Sequence, residues 1–415
     1  MWNRISALLG IIFLFAYFGI SCSKSKSDSI KAIVDSSKVV AAIDSTNISE
    51  VLGVCHAAGQ YHFTGKPYLI EGAYEILKLG SKCIKVWFEN VAKKYPYNSS
   101  WPSDVANYSY VQLAQTAYFQ QLFSMPFKVY SLELTNSKIN WKDGLSDTEK
   151  KSVFDSMYEL TKYLLTTYKN TGKTFILQNW ESDGALAPYN MQPALVPTAI
   201  QGMIDLANTR QDAVTQARKN VGLQGVVVAN AFEVNMVLDS YNPGPYTIDV
   251  VAPYTHCDIY SYSSYSSRAL NDLNSIKSRL QYIKTKIPPS KMYGSYNLMI
   301  GEFGYEERGP WPYINPVSDI SGQTQLYSVQ EQLKYLLDWG VSYIFYWQIY
   351  CNEEVDVTGK ISLSSESHGV DLNVNNLKGY WLIRPDGSKP PTYDYFKGLF
   401  DANKKVKAQR PNTQL

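Results

Sequence analysis

Histidine is scarce, with 4 residues in 415, and no two of them stand at helical spacing for a catalytic metal. The five cysteines include no C-x-x-C pair, which removes the usual zinc frameworks, and no metal or other cofactor is expected. Charge of one sign is also lacking: 39 Lys and Arg against 37 Asp and Glu leave a net charge of +2, so there is no basic face for nucleic acid and no acidic tail. No Gly-rich phosphate loop follows the first β-like run, so the nucleotide site of a doubly wound sheet is missing. There is no internal repeat and no long low-complexity tract. What remains is an expectation of an uncharged or weakly charged partner.

Aromatic residues are what the chain has in quantity, with 33 Tyr and 9 Trp, and 45% hydrophobic content is enough to bury a large core. Rings that join an apolar face to a polar edge suit sugar stacking as well as packing.

The chain opens with Asn3 and Arg4, a nearly unbroken apolar run from Ala7 to Ile20, and then Gly19, Ile20, Ser21 and Cys22. The run is shorter than the roughly 18 to 20 residues of a membrane span, and a polar Ser/Lys stretch follows it, so residues 1–21 read as an export signal. The segment resembles a bacterial lipoprotein signal, which implies lipidation of Cys22, a lipid anchor as the membrane contact, and a place in the cell envelope. Residues 22–47 read as a tether with a short helix near Ile30–Ala42, residues 48–405 as the catalytic domain, and 406–415 as a tail. Of the remaining cysteines, Cys55, Cys83 and Cys351 fall on neighbouring strands, so one bridge is conceivable, but buried thiols are the plainer expectation.

Eight β-like runs can be placed: Leu52–Ala57, Cys83–Phe88, Lys128–Leu134, Thr174–Asn179, Gly225–Ala231, Cys257–Tyr262, Leu298–Phe303 and Tyr343–Trp347. Helical patterns lie between them. Ser146 and Glu149 form a capping box, Pro197 suits a first helical turn, and Trp339-Gly340 ends a Leu-rich helix. Alternation of strand and helix predicts a parallel sheet, and eight units predict a (β/α)8 barrel. Pro385, Asp386 and Gly387 mark a turn, and a short amphipathic stretch follows around Tyr393–Phe400.

Two of these runs end in glutamate. Phe175–Glu181 and Leu298–Gly304 carry Glu181 after the fourth strand and Glu302 on the seventh, at the rim where barrel enzymes place catalytic groups. Two carboxylates there suit glycoside hydrolysis. The arrangement resembles the retaining glycoside hydrolases of clan A, the cellulase-, mannanase- and xylosidase-like barrels. The resemblance implies Glu181 as acid/base, Glu302 as nucleophile and a β-linked polysaccharide or oligosaccharide as substrate. It also implies a tyrosine of the sixth strand donating to the nucleophile, with Tyr262 preferred over Tyr260 and Tyr265, and Trp347 as a floor for the sugar. Asn179, Trp180, Trp87, His56 and Asn230 complete the candidate binding residues, with Glu233 and Asn235 beside Asn230 on the cleft wall.

There are departures from the family pattern. The family places Asn directly before the acid/base Glu, whereas Trp180 intervenes here; alternation along a strand then changes which residues share a face, and Asp183 becomes an alternative participant. The common strand-two Arg is replaced by Lys85, to which Glu133 of strand three is an expected partner. Glu306, Glu307 and Arg308 read as a solvated loop, with Trp311 and Tyr313 beside the cleft. The competing reading from another class is a non-catalytic surface glycan-binding protein on the same barrel.

Overall fold

In the computed structural model the described residues are 43–186, 196–238, 244–267, 273–307, 321–353 and 377–413. Cys22, the export signal, the Ile30–Ala42 helix, Arg308, Trp311 and Tyr313 lie outside them.

Eight strands close into a parallel barrel in sequence order. They are β2 (Leu52–His56), β3 (Cys83–Trp87), β4 (Val129–Glu133), β5 (Thr174–Gln178), β6 (Val227–Val234), β7 (Ile259–Ser263), β8 (Leu298–Phe303) and β9 (Ile344–Tyr346). Closure comes from β9 lying beside β2, with Leu52 opposite Ile344 and Val54 opposite Tyr346. The strands are buried throughout, as both faces of a barrel strand must be when helices cover the outside. The architecture is therefore the (β/α)8 barrel expected from the sequence.

The outer helices follow their local signals. Ser146 Oγ accepts the Glu149 N–H at 3.3 Å while Glu149 Oε2 accepts the Ser146 N–H at 3.0 Å, opening the Asp147–Thr167 helix with the predicted capping box. Pro197 is the first residue of the Pro197–Val221 helix, where its missing N–H costs nothing. The Gln323–Trp339 helix stops at Gly340, whose φ of 81° lies in the left-handed region. Among the described residues no helix is long and apolar enough to cross a membrane.

Strand boundaries shift where polar residues interrupt the apolar pattern. The fifth barrel strand runs to Val234 rather than ending at Ala231, because Glu233 continues it with its side chain turned into the barrel. The fourth ends at Gln178, so Asn179, Trp180 and Glu181 lie beyond it. Two regions assigned to tether and tail also meet. β1 (Ile43–Asn47) pairs antiparallel with β10 (Lys405–Gln409), Ile43 opposite Gln409 and Asn47 opposite Lys405. Cys55, Cys83, Cys257 and Cys351 are buried free thiols, with no bridge among them. Glu307 is not solvated: it is buried against Arg384, whose Nη2 lies 2.5 Å from it, and it also accepts from the Trp381 indole.

Candidate active site

Period-two alternation aims one set of side chains into the barrel near the carboxyl ends of its strands. Lys85 of β3 stands at the centre, fully buried, with Glu302 Oε1 at 2.9 Å, Glu133 Oε2 at 3.1 Å and Glu233 Oε2 at 3.9 Å from its ammonium. Gln178 of β5 donates to Glu233 at 2.5 Å and accepts from Ser131 Oγ at 2.8 Å. Ser261 of β7 donates to Glu233 at 2.6 Å.

The carboxylate of Glu233 fits because β8 has no side chain opposite it. A Cβ on Gly301 would stand 1.9 Å from Glu233 Oε2 and 2.1 Å from Ser261 Oγ. Next to Gly301 the register of β8 shifts against both neighbours, between Ser261 and Ser263 on one side and between Ile300 and Phe303 on the other. Such an irregularity re-aims side chains. It lets Glu302 reach Lys85 although its neighbour Gly301 also faces the interior.

Glu302 is 3% exposed. Its second oxygen accepts from the Tyr265 hydroxyl at 3.2 Å. Burial raises the Glu302 carboxyl to about 7 and Glu233 adds to this, while Lys85 and Tyr265 oppose it. Burial likewise raises Glu133 to about 8 against the pull of Lys85. For Lys85 burial acts downward, but Glu133, Glu233 and Glu302 more than offset it and keep the ammonium charged.

Two indoles stand beside this centre. Trp87, ending β3, has its ring 5.3 Å from Lys85 Nζ and lies 5.5 Å from the Trp347 ring. Trp347 follows β9 and donates Nε1–H to Glu353 at 3.0 Å, and Glu353 in turn holds Lys378 at 2.8 Å. Glu353 carries no periodic signal, because it lies in a loop whose path sequence does not dictate.

Several predicted site residues take other places. Tyr265, not Tyr262, is the tyrosine that donates to Glu302: Ser261 faces the barrel interior, so alternation turns Tyr260 and Tyr262 outward, and Tyr260 bonds to Thr255. His56 also points outward. Its Nε2 meets the Tyr68 carbonyl at 2.8 Å among the rings of Tyr68, Tyr95 and Tyr350, and burial lowers it to about 4. Asn230 is held behind the sheet by Arg210 Nε at 3.3 Å, away from the cleft. Asp183, in the short Ser182–Leu186 helix, accepts backbone N–H groups from Asn235 and Met236 in the loop after β6 and from Thr247 at the start of the Thr247–Val250 helix, and so ties these segments together. Asn235 joins this tie by accepting the Asp183 N–H at 3.2 Å.

The Asn179–Glu181 segment is fastened to the end of β6. Asn179 Oδ1 accepts the Glu233 N–H at 3.1 Å and its Nδ2 donates to Ser182 Oγ at 2.9 Å. The Glu181 N–H donates to Glu233 Oε1 at 3.2 Å. Glu181 is half-buried with a φ of 20°, and Trp180 is 47% exposed at the rim. Among the described residues no group of three or more His, Cys, Asp or Glu side chains stands ready to hold a metal ion.

No family model and no curated protein matches the sequence. Solved structures superpose on the fold. The AHE enzyme from Alicyclobacillus herbarius superposes with a TM-score of 0.50 at 10% identity, over 87% of this chain and 98% of that one. The GH5-4 broad specificity endoglucanase from Bacteroides salanitronis gives 0.49 at 12% identity, over 86% of this chain and 93% of that one. A GH2 β-galacturonidase from Eisenbergiella tayi gives 0.47 at 12% identity over 86% of this chain, which spans about half (52%) of that longer protein. At such identities the likeness is one of fold, and the chemistry has to be argued from the residues.

Proposed function

We propose that the protein is a retaining glycoside hydrolase that cleaves β-linked polysaccharide or oligosaccharide, with Glu302 as nucleophile and Glu181 as acid/base. The observation that carries this reading is Glu302 itself: a carboxylate at the carboxyl end of the seventh barrel strand, held by Lys85 and Tyr265 beside the paired rings of Trp87 and Trp347. Attack of Glu302 on the anomeric carbon would form a glycosyl-enzyme as Glu181 passes its proton to the leaving oxygen; Glu181 would then take a proton from water as water releases the sugar. Lys85 and Tyr265 favour the ionised nucleophile, since both interact best with its charged form. Trp180, exposed beside Glu181, suits a leaving-group sugar, and Trp347 the sugar that becomes covalently bound.

The decisive experiment is hydrolysis of aryl β-glycosides and of β-glucan, mannan and xylan oligomers by the wild type, Glu302→Ala and Glu181→Ala. Glu302→Ala is expected to lower kcat/KM at least about a thousandfold, roughly 4 kcal/mol of transition-state stabilisation. Glu181→Ala should spare substrates with good leaving groups and impair poor ones about a hundredfold or more. Turnover that survives Glu302→Ala would sink the proposal.

One observation favours a second reading, a glycan-binding protein without turnover: the Asn179 side chain is taken up by Glu233 and Ser182 and so is not offered to a sugar hydroxyl. Glycan binding that persists in both alanine variants, with no hydrolysis by the wild type, would establish that reading. We propose the bacterial cell envelope as the setting in either case, with attachment through Cys22. Fatty-acid labelling that does not disappear in Cys22→Ala would count against it.

A further inference from the structure

Three glutamates surround the Lys85 ammonium, and they are unequally supplied with hydrogen-bond donors. Glu233 receives Gln178 Nε2 at 2.5 Å, Ser261 Oγ at 2.6 Å and the Glu181 N–H at 3.2 Å. Glu302 receives Lys85 at 2.9 Å and Tyr265 at 3.2 Å. Among the described residues Glu133 makes only the 3.1 Å ion contact with Lys85, neither of its oxygens has a hydrogen-bond partner, and it is 1% exposed. One cation cannot balance three buried carboxylates, and unbalanced charge away from water is costly, so the cluster must retain protons. A hydrogen bond donated to a carboxylate favours its charged form, so the proton goes to the carboxyl with the fewest donors.

We propose that Glu133 is a positioning residue for Glu302: the two carboxyls share the Lys85 ammonium, and Glu133 keeps the proton that would otherwise sit on Glu302. The inference rests on Glu302 being the nucleophile, and it adds a residue from a third strand to that site. The titratable and charged groups acting on the pair are Cys55 from β2, Lys85 from β3, Tyr95 beyond it, Arg210 from the Pro197–Val221 helix, Glu233 from β6 and Tyr265 from the turn after β7. Burial raises Glu133 to about 8 and Glu302 to about 7, the order in which the donors rank them. Groups this close titrate as a pair, each ionisation hindering the other.

The test is a 13C NMR titration of protein labelled at the glutamate carboxyl carbon, with Glu133 and Glu302 assigned through their backbones. In the wild type both resonances should titrate around and above neutral pH, each in two steps. Glutamine is neutral, as protonated Glu133 is, so in Glu133→Gln the Glu302 resonance should lose its second step and keep its midpoint within about 0.3 pH unit of the wild-type first step. The acid limb of kcat/KM on an aryl glycoside should stay with it. A wild-type Glu133 resonance that titrates below pH 5 overturns the proposal without any variant having to fold. So does a Glu302 midpoint that Glu133→Gln lowers by a unit or more, because Glu133 would then have been ionised before Glu302. If the NMR curves behave as expected while no substrate turns over, it is the glycosidase reading that fails and the shared proton that stands.

Discussion

The seventh and fourth strands of the barrel both lead to a glutamate, yet the fold secures the two in different ways. Glu302 sits within β8 and is gripped by side chains from neighbouring elements, Lys85 and Tyr265. Glu181 stands three residues past the end of β5, and its backbone N–H is tied to Glu233. One carboxylate is set by the sheet and the other by the segment that follows a strand at the barrel's rim. In the proposed mechanism the nucleophile Glu302 has to meet one carbon atom at one angle, which a strand-held group serves well. The proposed acid/base, Glu181, would work on both leaving group and water.

The most disruptive way to break this contrast is Lys85→Met. It leaves Glu133, Glu233 and Glu302 buried with no cation, and a loss of about 3–5 kcal/mol is expected by denaturant unfolding. A loss below 1 kcal/mol would show that Lys85 does not hold the cluster together. The pH dependence has a definite sign. Glu133 and Glu302 are both raised in the fold, so the stability they contribute is complete below the unfolded carboxyl range near 4.5 and is lost as pH rises through about 7 and 8.

Next in size is Tyr265→Phe, which removes a hydrogen bond to a charged group worth about 1.5–3 kcal/mol. It should cost roughly tenfold or more in kcat/KM and move the acid limb of activity upward, because the lost donor favoured ionised Glu302. Tyr262→Phe should move neither, and equal effects from the two would contradict the assignment of Tyr265.

The smallest effect is expected on the fourth-strand side. Asn179→Ala should lower stability by about 1–2 kcal/mol, since the Glu233 N–H loses its acceptor. It should slow substrates with poor leaving groups while the acid limb set by Glu302 stays in place. A shifted acid limb would mean that the two ends of the site are not separately held.

The sequence made the barrel legible because its strands are short apolar runs separated by capped helices, as at Ser146 and Pro197. It made Glu302 and Lys85 legible because each follows or interrupts such a run. It did not reveal which tyrosine reaches Glu302, since that depends on the register shift between β7 and β8 and on Tyr265 lying just beyond the strand. Nor did it separate Asn230, turned to Arg210, from Glu233, turned to Lys85, although counting by twos along β6 puts them on opposite faces. Reading Lys85, Ser131, Glu133, Gln178, Glu233 and Ser261 as one inward-facing set across five neighbouring strands would have found the buried network. That set crosses the chain, and no window along one segment contains it.

The pairing of β9 with β2 also bears on how the protein is made. Until the last strand docks, seven strands can line up while β2 and β8 still present unpaired backbone, a template for wrong partners. The sheet closes only when Ile344–Tyr346 reaches β2, and β1 likewise waits for Lys405–Gln409. Contacts so distant in sequence slow the final step of folding.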